Sequence, residues 1–346
     1  MDTTAHRNGS VHIDYWPLPI FNRKRRQSSI LLVPLCLLLC SIGAANSSGG
    51  TENENNQPME TRLTQQHSMD HPEITRMLFH PTRISKTPTP PGAIDIQPTI
   101  AHTVTIGCRL FSHSIEAPTV IFFHGNGEIV ADYDDIGPIY MQQGLNFLVT
   151  DYRGYGWSDG TPLTSTFLPD SNALFVQLRR WLTEHGYSGP LFVMGRSLGS
   201  AAAIDVAVNH SDDVDGLIIE SGFAKTLPLA KVLGLDLEKL GITEEQTFNN
   251  SGKIGQFTKP TFLLHGQYDQ LIPIWQAEKL MAESNAKTRE LQIVPNADHN
   301  SLIAVAGLLY FQAIKKFIDK ATGNTPDWRE RRRQFKQRQA NGLTTE

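Results

Sequence analysis

The sequence predicts an α/β fold in which a mostly parallel central sheet carries helices on both faces. Two observations lead to this prediction. Apolar strand-like runs and helix-like runs alternate from residue 103 to residue 320, as they do in parallel sheets. A buried-strand run also meets a sharp Gly-rich turn and then an Ala-rich helical run at residues 191–209. With 346 residues, 40% of them hydrophobic, the chain can bury one large core.

The turn at residues 195–199 is the stretch around which the chain is organised. It reads Gly195-Arg196-Ser197-Leu198-Gly199 between an apolar run and a helical run, which is typical of a nucleophile elbow. Because the turn is so sharp, Gly195 and Gly199 are expected to let strand and helix approach. Ser197 would then project its hydroxyl from the top of the sheet. A plain Gly/Ser turn between a strand and a helix stays open as the alternative.

A second match to the same five-residue pattern occurs at residues 156–160, around Ser158. No apolar run directly precedes it, and Pro162 follows where a helix would have to start. Ser158 is therefore excluded as the nucleophile. The Gly-rich loop of residues 151–160 is not a dinucleotide fingerprint either, since no helix follows its glycines. It is expected to shape the floor of the site.

The remaining elements follow in chain order. An opening antiparallel strand is predicted at residues 103–111, and further strands at residues 119–123, 145–150, 191–194, 216–219, 261–264 and 291–294. Helices are predicted at residues 130–143, 172–185, 200–209, 275–284 and 302–320. The excursion between residues 223 and 259 has room only for a short lid, which could include an amphipathic helix at residues 227–240.

The loop after the strand at residues 119–123 reads His124-Gly125-Asn126-Gly127. A loop of this kind can present a backbone N–H group to a developing oxyanion, paired with the N–H of the residue after the nucleophile. These donors are predicted to be Asn126 and Leu198. His124 is expected to be structural, and a Gly-rich turn that starts a helix is the alternative for the loop.

Two later strand-end loops carry Asp269 and His299. A serine hydroxyl becomes a good nucleophile when an imidazole takes its proton, and a carboxylate must hold that imidazole in the right tautomer. The predicted triad is therefore Ser197, Asp269 and His299. Glu220, at the end of another predicted strand, and Asp298, adjacent to the histidine, are weighed as alternative acids and ranked below Asp269.

Together these motifs resemble the α/β-hydrolase superfamily of serine hydrolases over about residues 74–322. The resemblance is closest to the branch that contains protein depalmitoylases and acyl esterases. It implies hydrolysis of carboxylic esters or thioesters through an acyl-enzyme. A peptidase or lactonase using the same triad remains an alternative, as does a binding or scaffold protein on this fold.

The two ends of the chain lie outside this resemblance. A basic stretch at residues 22–26 leads into an apolar run at residues 30–40 and small residues at 43–45, the pattern of a signal peptide. Residues 1–45 are therefore predicted to be a signal peptide or a membrane anchor. The protein is accordingly expected either to be exported, to the periplasm or as a secreted protein, or to be anchored in a membrane. Residues 46–72 are expected to be a polar linker, residues 73–322 the catalytic domain and residues 323–346 a basic tail.

Composition limits the possible partners. The net charge of −4 is too small to argue for nucleic acid, and no cluster of His, Cys and Asp has ligand spacing, so no metal or cofactor is predicted. The expected substrate is a small molecule or a lipid or acyl group. Because no large cap would close the site, the substrate is expected at a membrane interface, which the apolar N-terminal segment could approach.

Overall fold

A twisted sheet lies at the centre of the structure, a computed structural model that describes residues 12–15, 68–101, 103–325, 333 and 337. All of these residues belong to one compact unit. The strands of the main sheet are β1 His12–Tyr15, β2 Ala93–Ile96, β5 Cys108–Phe111, β6 Thr119–Phe123, β7 Asn146–Thr150, β8 Leu191–Arg196, β9 Gly216–Glu220, β10 Thr261–Gly266 and β11 Arg289–Val294. A separate hairpin pairs β3 Thr99–Ala101 with β4 Val104–Thr105.

The strand order across the main sheet is β1-β11-β10-β9-β8-β6-β7-β5-β2. Strand β5 runs antiparallel to both of its neighbours, β2 and β7. Every other pair in the sheet is parallel. The predicted fold class, a mostly parallel sheet of the α/β-hydrolase type, is confirmed.

The helices lie between the strands in sequence. They are α1 Pro72–Leu78, α2 Gly137–Gln142, α3 Thr164–Glu184, α4 Gly199–Asn209, α5 Thr226–Val232, α6 Asn250–Ile254, α7 Trp275–Glu283, α8 Leu302–Ala306 and α9 Leu308–Ala321. Short 3₁₀ turns occur at Ser68–Asp70, Val130–Tyr133, Glu238–Leu240 and Glu244–Gln246.

Alternate side chains of the central strands enter two different hydrophobic clusters. In β6, Ile121 and Phe123 pack with residues of α3 and α4, whereas Val120 and Phe122 pack with residues of α2 and α9. Because successive side chains of a strand point to opposite faces, the two clusters lie on the two faces of the sheet. Both faces are therefore covered, as the near-continuous apolar strands predict.

Several element bounds differ from the prediction. Helix α3 begins at Thr164 rather than residue 172, and Pro169 lies in its second turn, where it lacks the N–H that would bond to residue 165. The helix predicted at residues 130–143 is a 3₁₀ turn followed by α2. The helix predicted at residues 302–320 is broken at Gly307, whose φ is +56°. A positive φ is incompatible with continuing an α-helix and is easiest for glycine.

The lid is shorter and less regular than the predicted amphipathic helix. Of the region predicted as this helix, only the part up to Val232 is α-helical, in α5 Thr226–Val232, and Gly234, with a φ of +89°, follows the end of α5. The opening strand predicted at residues 103–111 is likewise interrupted, with β4 and β5 separated by residues 106–107. Strands β1, β2 and β3 were not predicted from the sequence.

No helix in the described part of the chain is long and apolar enough to cross a membrane. The basic and apolar part of the predicted signal or anchor segment, residues 22–45, and residues 46–67 of the linker predicted at residues 46–72 lie outside the described residues. The same holds for most of the tail after residue 325. Within the two predicted N-terminal segments, His12–Tyr15 forms β1 and Ser68–Asp70 forms a 3₁₀ turn. The signal, anchor, linker and tail assignments therefore stay predictions.

Candidate active site

Ser197 occupies the turn between β8 and α4. Its φ is +51°, in the left-handed region that an L-residue adopts at a cost. The glycines on either side permit this turn: a Cβ on Gly195 would overlap the carbonyl oxygen of Gly199, and a Cβ on Gly199 would overlap that of Phe123. The predicted need for glycine at both positions is confirmed by these contacts.

A chain of hydrogen bonds connects the three predicted triad residues. The distance from Ser197 Oγ to His299 Nε2 is 2.9 Å, and the distance from His299 Nδ1 to Asp269 Oδ2 is 2.7 Å. An ionised carboxylate only accepts, so Nδ1 carries the proton and Nε2 is left to accept from the serine. This geometry allows the imidazole to remove the serine proton.

Asp269 is held in place by the backbone of its own loop. Its Oδ1 accepts hydrogen bonds from Leu271 N at 3.0 Å and Ile272 N at 2.8 Å, which leaves Oδ2 directed to His299. His265 lies behind the carboxylate, with Nε2 2.7 Å from the carbonyl oxygen of Ile272 and 3.5 Å from Asp269 Oδ2. Burial lowers the pKa of the His265 imidazole.

The two alternative acids have other partners. Glu220 Oε1 lies 3.2 Å from Arg196 Nε, and its Oε2 accepts from Tyr310 OH at 2.5 Å. Burial raises the pKa of this carboxyl. Asp298 is exposed and accepts a hydrogen bond from Asn300 N at 3.0 Å. Neither carboxylate is hydrogen-bonded to the His299 ring.

The loop at residues 124–127 presents a backbone N–H group that has no protein acceptor. Among the described residues, neither Asn126 N nor Leu198 N donates a hydrogen bond to the protein. The Asn126 side chain, in contrast, is fixed: its Oδ1 accepts from His80 N at 2.8 Å and from Tyr155 OH at 2.8 Å. Two unused donors on either side of the elbow could therefore bind an oxyanion.

His124 is completely buried beneath this loop. Its Nδ1 lies 2.8 Å from the carbonyl oxygen of Gly125, and its Nε2 lies 3.2 Å from Asp151 Oδ1. The hydroxyl of Tyr152 donates to the carbonyl oxygen of His124 at 2.6 Å. These contacts fit the structural role predicted for His124, and the loop at residues 151–160 supports the site through its tyrosines.

The side chain of Ser158 has different contacts from that of Ser197. Its Oγ accepts a hydrogen bond from Gly107 N at 2.9 Å, and its side chain has no histidine partner among the described residues. The exclusion of Ser158 as a nucleophile agrees with these contacts.

Arg196 and Glu128, to which no role was assigned from the sequence, form an ion pair beside the triad. Arg196 Nη2 also donates to the carbonyl oxygen of His299 at 3.0 Å. One signal was present in the sequence: a charged residue at the end of an apolar strand must be paired when it is buried. The identity of its partner, Glu128, which lies 68 residues away in the chain, could not be predicted from the sequence.

Comparison with known proteins extends these observations. A protein-family model described as Hydrolase_4, serine aminopeptidase S33, matches residues 116–242. The chain is 27% identical over 218 residues to the α/β-hydrolase domain-containing protein WAV2 of Arabidopsis thaliana, covering 59% of this chain and 70% of that protein. It is also 27% identical over 182 residues to an uncharacterized membrane protein of Saccharomyces cerevisiae, covering 52% of this chain and 62% of that protein.

The fold is shared with solved structures. The Pyrococcus furiosus esterase Pf2001 matches with a TM-score of 0.57 at 19% identity, covering 70% of this chain and 98% of the esterase. At this identity the likeness concerns the fold. The family match, the α/β-hydrolase relative and the shared fold agree with one another: the chain is similar to members of the α/β-hydrolase superfamily and has their fold.

Proposed function

We propose that this protein is a serine hydrolase that cleaves carboxylic esters or thioesters through an acyl-enzyme. The observation that carries the proposal is the continuous hydrogen-bonded chain from Ser197 Oγ through His299 to Asp269 Oδ2. Its members follow β8, β10 and β11 at the carboxyl ends of parallel strands, where ligands bind in open α/β sheets.

In the proposed reaction, Ser197 Oγ attacks the carbonyl carbon of the substrate while His299 Nε2 takes the hydroxyl proton. The backbone N–H groups of Asn126 and Leu198 bind the oxyanion, and Asp269 stabilises the imidazolium. His299 then gives the proton to the leaving alcohol or thiol. A water molecule attacks the acyl-serine by the same route, which releases the acid and restores the serine.

The substrate proposed for this site is an acyl group presented at an interface, such as an acylated protein or a lysolipid. Only short helices lie between β9 and β10, and lid residues Val232 and Leu240 are exposed. An apolar lid that does not engulf the substrate suits a long acyl chain that stays partly in a membrane. The export signal or membrane anchor predicted at residues 1–45 would bring the domain there.

A peptide bond is the second candidate target, because the matching family model is described as serine aminopeptidase. Amides have poorer leaving groups than esters but need the same triad. The two candidates are separated by a panel of p-nitrophenyl esters, acyl thioesters, lactones and aminoacyl p-nitroanilides. Ester hydrolysis that rises with acyl chain length and with added phospholipid vesicles supports the interfacial ester proposal. Turnover of the anilides alone would favour the peptidase.

The nucleophile is tested with a fluorophosphonate probe and peptide mapping. Trypsin cleaves after Arg196 and Lys225, so an adduct on Ser197 appears in the peptide of residues 197–225, whereas one on Ser158 appears in residues 154–179. We expect labelling in the first peptide and none in the Ser197→Ala variant. A folded Ser197→Ala protein that still reacts, or a wild type that never reacts, would contradict the proposal and favour a binding protein.

A further inference from the structure

A buried cluster of charged groups lies behind the candidate triad and takes no part in the proton transfers of the proposed reaction. Arg196 directly precedes Ser197, and its side chain is 12% exposed. Its anionic neighbours are Glu128 and Glu220. A buried guanidinium requires such partners, so charge balance explains why anions are present. It does not explain which chain segments they join.

Glu128 connects this cluster to the loop that carries Asn126. One carboxylate oxygen accepts from Arg196 Nη1, and the other accepts from Gly125 N at 2.7 Å and from Tyr133 OH at 2.6 Å. Burial acts to raise the pKa of Glu128, but Arg196 and the hydrogen-bond donors lower it below its usual value. Glu128 is therefore a carboxylate that holds the backbone one residue before the proposed oxyanion donor.

Arg196 connects the same cluster to the histidine loop. Its Nη2 donates to the carbonyl oxygen of His299 at 3.0 Å and to Asn300 Oδ1 at 2.9 Å. Its Nε faces Glu220 at the end of β9. The three nitrogens of one side chain thus reach three separate segments, and the side chain belongs to the residue adjacent to Ser197.

The loop at residues 124–127 also packs directly on the guanidinium. A Cβ on Gly125 would lie 2.6 Å from Arg196 Nη1 and 3.0 Å from Glu128 Oε2. A side chain at this position would therefore require Arg196 or Glu128 to shift. The loop and the ion pair beside the nucleophile elbow are therefore closely packed.

We propose that Arg196 and Glu128 are positioning residues that hold the Asn126 loop and the His299 backbone in register with Ser197. This inference rests on the proposed serine-hydrolase function. Because misplacing reacting groups by about 1 Å can cost roughly 100-fold in rate, loss of either partner lowers turnover without removing any group that touches the substrate.

Two conservative variants test the pair. Glu128→Gln keeps the volume but has one acceptor oxygen, so either the Gly125 N–H or the Arg196 N–H loses its partner. Arg196→Lys keeps the charge, but an ammonium cannot reproduce the planar fork that reaches three segments. The matched control is Asp95→Asn, because Asp95 forms a similarly buried ion pair with Arg109, 2.7 Å from its Nε. That pair lies on β2 and β5, away from β8 in the strand order.

The measurements are kcat and KM per active site, with sites counted by fluorophosphonate titration of the folded full-length protein. We expect each test variant to lose about 10- to 100-fold in kcat with KM within about twofold, because the lost alignment matters in the transition state. Asp95→Asn is expected to lower thermal stability while leaving kcat per titrated site unchanged.

A second readout does not require turnover. The proton between His299 Nδ1 and Asp269 Oδ2 is expected to give a low-field ¹H NMR resonance, which Arg196→Lys shifts or broadens and Asp95→Asn leaves in place. Unchanged kcat per site and an unchanged resonance in both test variants would overturn the positioning role, as would equal losses in the control. A wild type that neither hydrolyses nor titrates would instead overturn the proposed function, and the resonance would still test the positioning.

Discussion

The two Gly-x-Ser-x-Gly turns of this chain have the same five-residue pattern but different backbone conformations. In the turn at residues 156–160, the positive φ angles fall on the glycines, +52° at Gly156 and +77° at Gly160. In the turn at residues 195–199, the positive φ falls on Ser197 itself. Both serines are nearly buried, with 4% and 8% of their surfaces exposed.

The difference lies in what each serine hydroxyl contacts. Ser158 Oγ accepts a hydrogen bond from the backbone N–H of Gly107 and stabilises the loop at residues 151–160. Ser197 Oγ faces an imidazole whose other nitrogen is held by a carboxylate. The five-residue pattern therefore indicates a tight turn, whereas the chemistry depends on where the strained residue lies and on which loops surround it.

The largest expected effect separates the two serines directly. Ser197→Ala should lower kcat for p-nitrophenyl esters by at least about 1,000-fold, because removing the nucleophile leaves only the residual catalysis of the remaining site. Ser158→Ala should leave kcat within about twofold, while the unpaired Gly107 N–H costs about 1–3 kcal/mol of stability. Steady-state kinetics and urea unfolding measure the two quantities. Comparable losses of kcat in both variants would mean that the two turns do not differ in function.

The next largest effect concerns the acid of the candidate triad, beside the turn at residues 195–199. Asp269→Asn should lower kcat by roughly 1,000-fold or more, because an amide no longer fixes the tautomer of His299. Glu220→Gln should cost far less, since Glu220 contacts Arg196 and Tyr310 and not the imidazole. Both variants keep the side-chain volume and are expected to fold. Circular dichroism checks this. A greater loss of kcat in Glu220→Gln would reverse the assignment of the acid.

Glycine substitutions compare the packing of the two turns. Gly199→Ala should destabilise the protein by about 3 kcal/mol or more, because the added methyl overlaps the carbonyl oxygen of Phe123. In Gly160→Ala the added methyl contacts only the Arg153 side chain, at 3.5 Å or more, so the substitution should cost about 1–2 kcal/mol for the positive φ alone. Thermal unfolding of the two variants checks the order. Equal destabilisation would show that the close strand–helix approach is not specific to the turn at residues 195–199.

The smallest effect is a pH dependence of the free energy of unfolding, caused by His265 near the turn at residues 195–199. The folded pKa of His265 is lowered by burial, so the unfolded chain binds its proton more readily. The stability that the neutral imidazole contributes is present above the unfolded pKa of about 6.5 and is lost as the pH falls below it. His265→Gln should flatten stability against pH between about 5 and 7. Urea unfolding at several pH values measures this, and an unchanged slope would contradict it.

Most of the sheet could be predicted because its strands are short apolar runs between turn residues. Strand β6 has the predicted bounds, Thr119–Phe123, since Pro118 precedes it and a Gly-containing loop follows. Strand β2 could not be predicted in the same way. Its Ala93-Ile94-Asp95-Ile96 run is short and carries an acid, and the acid is tolerated because Arg109 on the neighbouring strand pairs with it.

The three triad positions could be predicted because each one follows a recognisable strand, and parallel strands bring their carboxyl ends together. The ion pair of Arg196 and Glu128 could not, because many acids lie in loops and only the folded backbone selects one of them. The start of α3 was missed for a local reason: its first turns are polar and contain Pro169. Tertiary contacts override such weak propensities.

The left-handed backbone of Ser197 also has an evolutionary consequence. Glycine would adopt its φ of +51° without the roughly 1–2 kcal/mol that an L-residue loses there. The residue that is best for the proposed chemistry is therefore not the residue that is best for the fold. A laboratory selection for heat resistance alone would favour Ser197→Gly, so any such selection on this protein must also demand activity.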